Sequence, residues 1–295
     1  GVECSLALAH QVGAKDFRDA LRANCLSWVP ITFSSGPLGT QEVFLEGSPR
    51  ASHWSSLAVH RDALASNVAS ALDLASSGDI HVPHVNVHLG HDSMTHDEGV
   101  ELLGASCDLS ERAGVAFAHE THRGRLTYSP WRTPLLLRDE PRARLLADFA
   151  HWVVVAEAEP GDRLLEAGVK SVLSKCIASH GRIGHAQASQ VPHPAAPEWA
   201  AETAQQCGWI EAIWRSRMGE GGAASGGDAW FTPEFGPRPY MPALPFTNAP
   251  TADLDECNDW MAKWAREAFA ELLAESAAGV AAAKSSSAAW RPPSV

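Results

Sequence analysis

No run in the 295-residue chain approaches the ~18 to 20 consecutive apolar residues of a membrane-spanning helix. Residues 1–20 also lack the basic-then-apolar order of a secretory signal, so no membrane partner is expected. Cysteine is sparse. Cys4, Cys25, Cys107, Cys176, Cys207 and Cys257 contain no Cys-x-x-Cys pair, which excludes a zinc-knuckle spacing and the density of a disulfide scaffold. Reduced thiols in a cytosol-like compartment, and so a cytoplasmic protein, are the expectation. Positive charge is scarce too: 23 Lys+Arg stand against 35 Asp+Glu, a formal charge of −12. No clustered basic face offers to grip a nucleic acid through its phosphates. What is present is enough to fold, because 45% hydrophobic and 20% charged residues exclude wholesale disorder.

The strongest pattern is alternation. Short apolar runs at 2–6, 26–33, 85–89, 115–120, 144–148, 172–180 and 230–234 each lead into a polar or ionisable residue. Between them, 15–24, 54–76, 96–113, 134–143, 160–170, 196–218 and 253–276 have helical spacing, with Asp16 and Asp253 expected as caps. Such alternation predicts βα units on a parallel sheet. Seven of each, starting abruptly on a strand, predict an α/β fold of the (β/α)8 TIM-barrel type, with its first βα unit lacking or truncated. The length suits a barrel of roughly 250 residues. Residues 1–276 read as one barrel domain. The Gly-rich stretch 219–228 reads as a flexible connector and 277–295 as a flexible Ala/Ser/Pro tail. A sheet edge left open where a first strand should stand invites pairing, so closure by a neighbouring chain, a homo-oligomer, is a further expectation.

Ionisable residues gather at the carboxyl ends of the expected strands: His88, Glu120, Asp148, His180 and Glu234. In a parallel barrel those ends converge on one face, where ligands bind. Any one of them alone is most simply a solvated rim residue. Four in successive units are better explained as ligands of one divalent metal ion. Three carboxylates with one imidazole suit Mn²⁺, Mg²⁺ or Co²⁺, and Zn²⁺ can also use them. Along a strand, alternation sends His119 away from the face that carries Glu120, so His119 reads as structural. His88 and His122 are weaker site candidates.

Four segments carry a resemblance: His119-Glu120-Thr121-His122-Arg123-Gly124-Arg125, Asp148-Phe149-Ala150-His151-Trp152, His180-Gly181-Arg182-Ile183-Gly184-His185-Ala186-Gln187, and Thr232-Pro233-Glu234-Phe235-Gly236-Pro237. Together they resemble the xylose isomerase-like TIM barrels of the sugar phosphate isomerase/epimerase type, strongly over 80–275 and weakly over 1–79. The resemblance implies metal ligation by Glu120, Asp148, His180 and Glu234 and a small sugar or sugar derivative as substrate. His185 competes with His180 for one place. With His180 as ligand, His185 and Gln187 would face the sugar. Ketose-epimerising members place a His as His151 stands to Asp148, where it would touch a substrate oxygen.

Arg123, Arg125 and Arg182 are the cationic candidates, Arg182 being best placed. No Gly-rich loop opens a helix beside them, which argues against a phosphorylated substrate. Trp131 is the expected pocket wall, and the stretch from Pro233 to Pro245 a rigid loop over the barrel mouth. Two glutamates from different strands, Glu120 and Glu234, could remove and return a proton beside a carbonyl, giving epimerisation or aldose–ketose isomerisation through a metal-stabilised enolate. The same enolate could instead expel a group, which makes a lyase on keto-sugars or keto-glycosides the near alternative. An apurinic-endonuclease-like metal phosphodiesterase and a non-catalytic sugar-binding barrel are the more distant ones.

Overall fold

The computed structural model describes residues 1–34, 57–218 and 229–288. The connector at 219–228 and the last seven residues of the tail lie outside them. The element order is β1 Val2–Ser5, α1 Leu6–Val12, α2 Ala14–Ala23, β2 Trp28–Phe33, α3 Leu57–Ser76, β3 Val85–His88, α4 His96–Ala113, β4 Phe117–Glu120, α5 Arg132–Asp139 and β5 Arg144–Ala147. It continues with α6 Phe149–Ala156, α7 Arg163–Val172, β6 Cys176–His180, α8 Ala200–Met218, β7 Trp230–Thr232 and α9 Leu254–Ala288. The strands pair in parallel in the order β1-β2-β3-β4-β5-β6-β7 and form a nearly closed, barrel-shaped sheet flanked by helices.

The described residues hold seven strands where seven apolar runs were read. Among the described residues β1 and β7 share no backbone ladder. Their seam is bridged by a side chain, Thr232 Oγ1 donating to Glu3 Oε2 at 2.6 Å. A cavity of about 140 Å³ marks it, lined by Val2, Val29, His84 and Trp230 among others.

Two-residue periodicity sorts the strands. Inside the barrel, Ala118, Leu146 and Ala178 form an apolar floor, packed by Trp230. Two positions further along the same strands stand Glu120, Asp148 and His180, so one alternation yields a dry floor and a polar mouth. Outside, Val85, Val87, Phe117 and Leu145 pack against Leu64 and Val68 of α3, Leu102 and Leu103 of α4, Leu136 of α5 and Leu165 and Val169 of α7. Each fully buried aliphatic side chain contributes roughly 1.5 to 3 kcal/mol.

His119 joins this outer layer, as alternation predicts. Its Nε2 meets Ser106 Oγ of α4 at 2.9 Å and its Nδ1 the Arg144 carbonyl of β5 at 2.9 Å.

Local chemistry fixes the helix ends. Thr95 and Glu98 form a reciprocal capping box at the start of α4, and Gly114 closes it at φ 66°. Asp253 caps α9 as expected, accepting from Asp255 N at 2.8 Å and Glu256 N at 3.1 Å.

Four expectations need correction. Asp16 lies inside the first turn of α2, whose cap is Gly13. Residues 172–175 end α7 and make a 3-10 turn, so β6 starts only at Cys176. Two short helices, α1 and α6, lie outside the expected helical stretches; α6 is eight residues long and apolar but for His151, too short to show a helical rhythm. The tail is helical through Ala288, in keeping with its alanines, the strongest helix formers. All six cysteines are free, and no helix among the described residues is long and apolar enough to cross a membrane.

Candidate metal centre

Glu120 ends β4, Asp148 follows β5 directly, His180 ends β6 and Glu234 stands two residues past β7. All four reach the same mouth. Asp148 Oδ2 lies 3.8 Å from His180 Nδ1, and His180 Nδ1 is in close contact with Glu234 Oε2. One ligand atom from each of these three falls within 4.8 Å of the other two, and Glu120 forms a second such group with Asp148 and His151. Asp148 thus belongs to both. Three of the four expected ligands share one point, with Glu120 beside it.

The backbone around these residues is held tightly. Asp148 N donates to Thr121 Oγ1 at 2.8 Å, and Thr121 N donates to the Leu146 carbonyl at 3.1 Å, which ties the end of β4 to the end of β5. Glu234 has φ 59°, a left-handed conformation that costs a residue with a Cβ about 1 to 3 kcal/mol. Two side-chain amides bracket the chain just after it. Asn258 accepts from Phe235 N at 2.7 Å and donates to the Phe235 carbonyl at 3.0 Å. Gln190 does the same for Gly236 at 2.9 and 3.1 Å. A third amide, Gln206 of α8, clamps Gly184 at 2.9 and 2.8 Å. Gly184 lies so close to α6 that a Cβ would sit 2.8 Å from the Ala150 carbonyl oxygen.

Electrostatics separate the carboxylates. Burial pushes the Glu120 carboxyl up, but His88 Nε2 at 2.9 Å and the other imidazoles outweigh it and hold the group well below the usual range. Burial raises Glu234, which His180 and Arg182 only partly offset. Asp148 is held low despite burial, chiefly by Arg182 and His151. His180 is raised well above the ordinary imidazole range because Glu234 and Glu3 outweigh its burial. Burial instead leaves His151 neutral, its pKa lowered to about 4.

A divalent cation fits this set. Asp148 Oδ1 is a buried ligand atom with no hydrogen-bond partner, a state that is costly unless something charged engages it. His180 Nδ1 and Glu234 Oε2 meet only each other and their charged neighbours, with no aligned hydrogen bond between them. Carboxylates with one imidazole form a hard, oxygen-rich donor set of the kind that Mn²⁺, Mg²⁺ and Co²⁺ use. Arg182 is the resident counter-charge. Its Nη2 touches Asp148 Oδ2, lies 3.3 Å from Glu234 Oε2 and 3.2 Å from His151 Nε2, and its guanidinium stacks 4.2 Å over the Tyr240 ring.

No family model matches this chain, and no curated protein matches it.

Of the remaining expected residues, His88 and His151 are in the site. His88 sits on Glu120, and His151 lies beside Asp148 at 3.5 Å, the i and i+3 positions of a chain that turns helical at once. His180 rather than His185 enters the ligand group. The His185 ring stacks 4.6 Å from Trp199, and Gln187 is exposed, so neither joins the cluster. Trp131 opens α5 with 49% of its surface exposed. The rings that line the mouth are instead Phe33, 4.6 Å from His88, and Tyr240, 6.3 Å from His151.

His122, a weaker candidate by sequence, is central. Its ring lies 4.9 Å from His88 and 3.9 Å from His151. Arg123 and Arg125 reach the same wall, over Tyr240 at 5.7 Å and over Phe33 at 5.3 Å. Sequence reasoning missed Glu3, Asn86 and Tyr240. For Glu3 the signal was available: a carboxylate alternating with Val2 and Cys4 inside a strand has to face the barrel interior.

Proposed function

We propose that this protein is a divalent-metal-dependent enzyme that isomerises or epimerises a small sugar or sugar derivative by moving a proton beside a carbonyl. The observation that supports it is the convergence of Asp148, His180 and Glu234, with Glu120 adjoining, at the carboxyl end of a parallel barrel. This is the place and the donor chemistry implied by the resemblance to xylose isomerase-like barrels. The cation held there would stabilise negative charge developing on neighbouring substrate oxygens.

The protein's own residues divide the remaining work. Glu120 and Glu234 enter from different strands and carry opposite shifts, Glu120 toward the ionised and Glu234 toward the protonated form. Such a pair can accept a proton on one side and supply one on the other. Neutral His151 offers a hydrogen bond to a substrate oxygen, and Phe33 and Tyr240 give flat faces for a ring.

Replacing Glu120 or Glu234 by Gln should lower turnover by at least ~10²-fold. Solvent-deuterium incorporation into ketoses and 3-keto-glycosides, followed by NMR with Mn²⁺ present, measures it. Full exchange in both variants would refute the two-carboxylate mechanism, and product lacking a β-substituent would redirect the reading to a lyase.

A second reading has one observation in its favour. His88, Glu120 and His122 form another group of ligand atoms within 4.8 Å of one another, which suits a two-metal phosphodiesterase. The charge of −12 weighs against a nucleic-acid substrate. Two bound metals per chain with cleavage of abasic DNA would decide for it.

A further inference from the structure

Two of the four ligand side chains share one buried support. Glu3 on β1 reaches across the barrel interior. Its Oε1 lies 3.1 Å from His180 Nε2 and accepts from Asn86 Nδ2 at 2.8 Å, while its Oε2 accepts from Thr232 Oγ1 at 2.6 Å. Asn86 Nδ2 has a second hydrogen, and that one goes to Glu120 Oε2 at 2.6 Å. Residues from β1, β3, β4, β6 and β7 are thus joined in one hydrogen-bonded chain beneath the mouth.

The arrangement restricts what each ligand can do. An imidazole has two ring nitrogens, and an ionised carboxylate can only accept. Glu3 therefore engages His180 through Nε2–H and leaves Nδ1 facing Asp148 and Glu234. This is the relation by which a carboxylate fixes the tautomer and ring orientation of a metal-binding histidine. Asn86 spends both amide hydrogens on carboxylates, so the rotamer of Glu120 is tied to the position of Glu3.

We propose that Glu3 is the positioning residue of the metal centre: through His180 directly and through Asn86 to Glu120, it sets the orientation of two ligands at once. This rests on the metal reading given above.

The test uses the full chain and two probes that need no substrate. Mn²⁺ affinity is measured by calorimetric titration, and ligand geometry by the visible d–d spectrum of the Co²⁺-loaded protein, for wild type, Glu3→Gln and Thr232→Val. The amide of Gln keeps an acceptor for His180 but removes the charge. Thr232→Val takes one donor from Glu3, and the hydroxyl it removes bonds none of the four ligands. Glu3→Gln should bind Mn²⁺ about 10- to 100-fold more weakly and shift the Co²⁺ bands, with Thr232→Val moving both in the same direction by less.

Wild type that binds metal beside a folded Glu3→Gln with unchanged affinity and spectrum overturns the positioning role and leaves the metal centre standing. Wild type that binds neither ion overturns both. If Glu3→Gln does not fold, Thr232→Val decides, and its unchanged affinity and spectrum overturn the proposal.

Discussion

His119 offers a quantitative test of how the strand that ends in Glu120 is held. Its ring is buried on the far side of β4 from the site, with Nδ1 on the Arg144 carbonyl and Nε2 on Ser106 Oγ. A carbonyl only accepts, so Nδ1 carries the hydrogen and Nε2 accepts from the hydroxyl. The pocket is built for the neutral imidazole. Burial accordingly lowers the His119 pKa to about 4, outweighing the Arg144 carbonyl.

The unfolded chain takes up that proton near pH 6.5, so between pH 6.5 and 4 it binds a proton that the folded state refuses. Stability therefore falls as the pH drops through this window and is fully present above it. Between pH 7 and pH 5 the loss from this one residue is roughly 2 kcal/mol. Gln can give one donor and one acceptor at the same place without titrating. Urea unfolding followed by tryptophan fluorescence at both pH values should show His119→Gln with about 2 kcal/mol less pH dependence than wild type, whatever its stability at pH 7. Equal pH dependence in the two proteins would mean that His119 is protonated in the fold and the buried-neutral assignment is wrong.

Further outcomes follow from the site. His151→Ala removes a neighbour of Asp148 that lies outside the Asp148–His180–Glu234 group. Metal content measured by elemental analysis should persist while turnover or substrate affinity drops, and loss of metal would place His151 among the ligands. Gly184→Ala puts a methyl group against the Ala150 backbone of α6. It should cost about 1 to 3 kcal/mol in a denaturation curve and weaken metal binding, because α6 carries His151 and follows Asp148. An unchanged melting curve would show that α6 can yield.

The barrel was legible because its signals are local. Each apolar run ending in a charge became a strand ending at the mouth, and β3 to β6 carry their candidate site residue at or just past the last position. His180 could be separated from His185 on the same ground, since it closes a strand run while His185 lies beyond a glycine. What sequence could not give was contact between distant segments. Tyr240 reaches the site from the proline-rich loop after β7, and Asn86 matters only because Glu3 and Glu120 flank it. Trp131, the expected pocket wall, stands half-exposed at the start of α5, and the ring contacts at the mouth come from Phe33 and Tyr240. The amphipathic rhythm of α9 foretold its packing but not that Asn258 would hold the chain beside Glu234.

That last contact gives α9 a hold on the backbone beside Glu234. The amide clamps on Phe235 and Gly236 are neutral, so protonation does not loosen them, whereas the buried ion pairs beside them respond to it. Changes of pH should therefore rearrange charge within an unmoving backbone. Mechanical disturbance of α9 does the opposite, pulling on Asn258 and relaxing the left-handed turn at Glu234 while every charge stays in place. A partner that grips the outer face of this helix would act on Glu234 by leverage rather than by electrostatics.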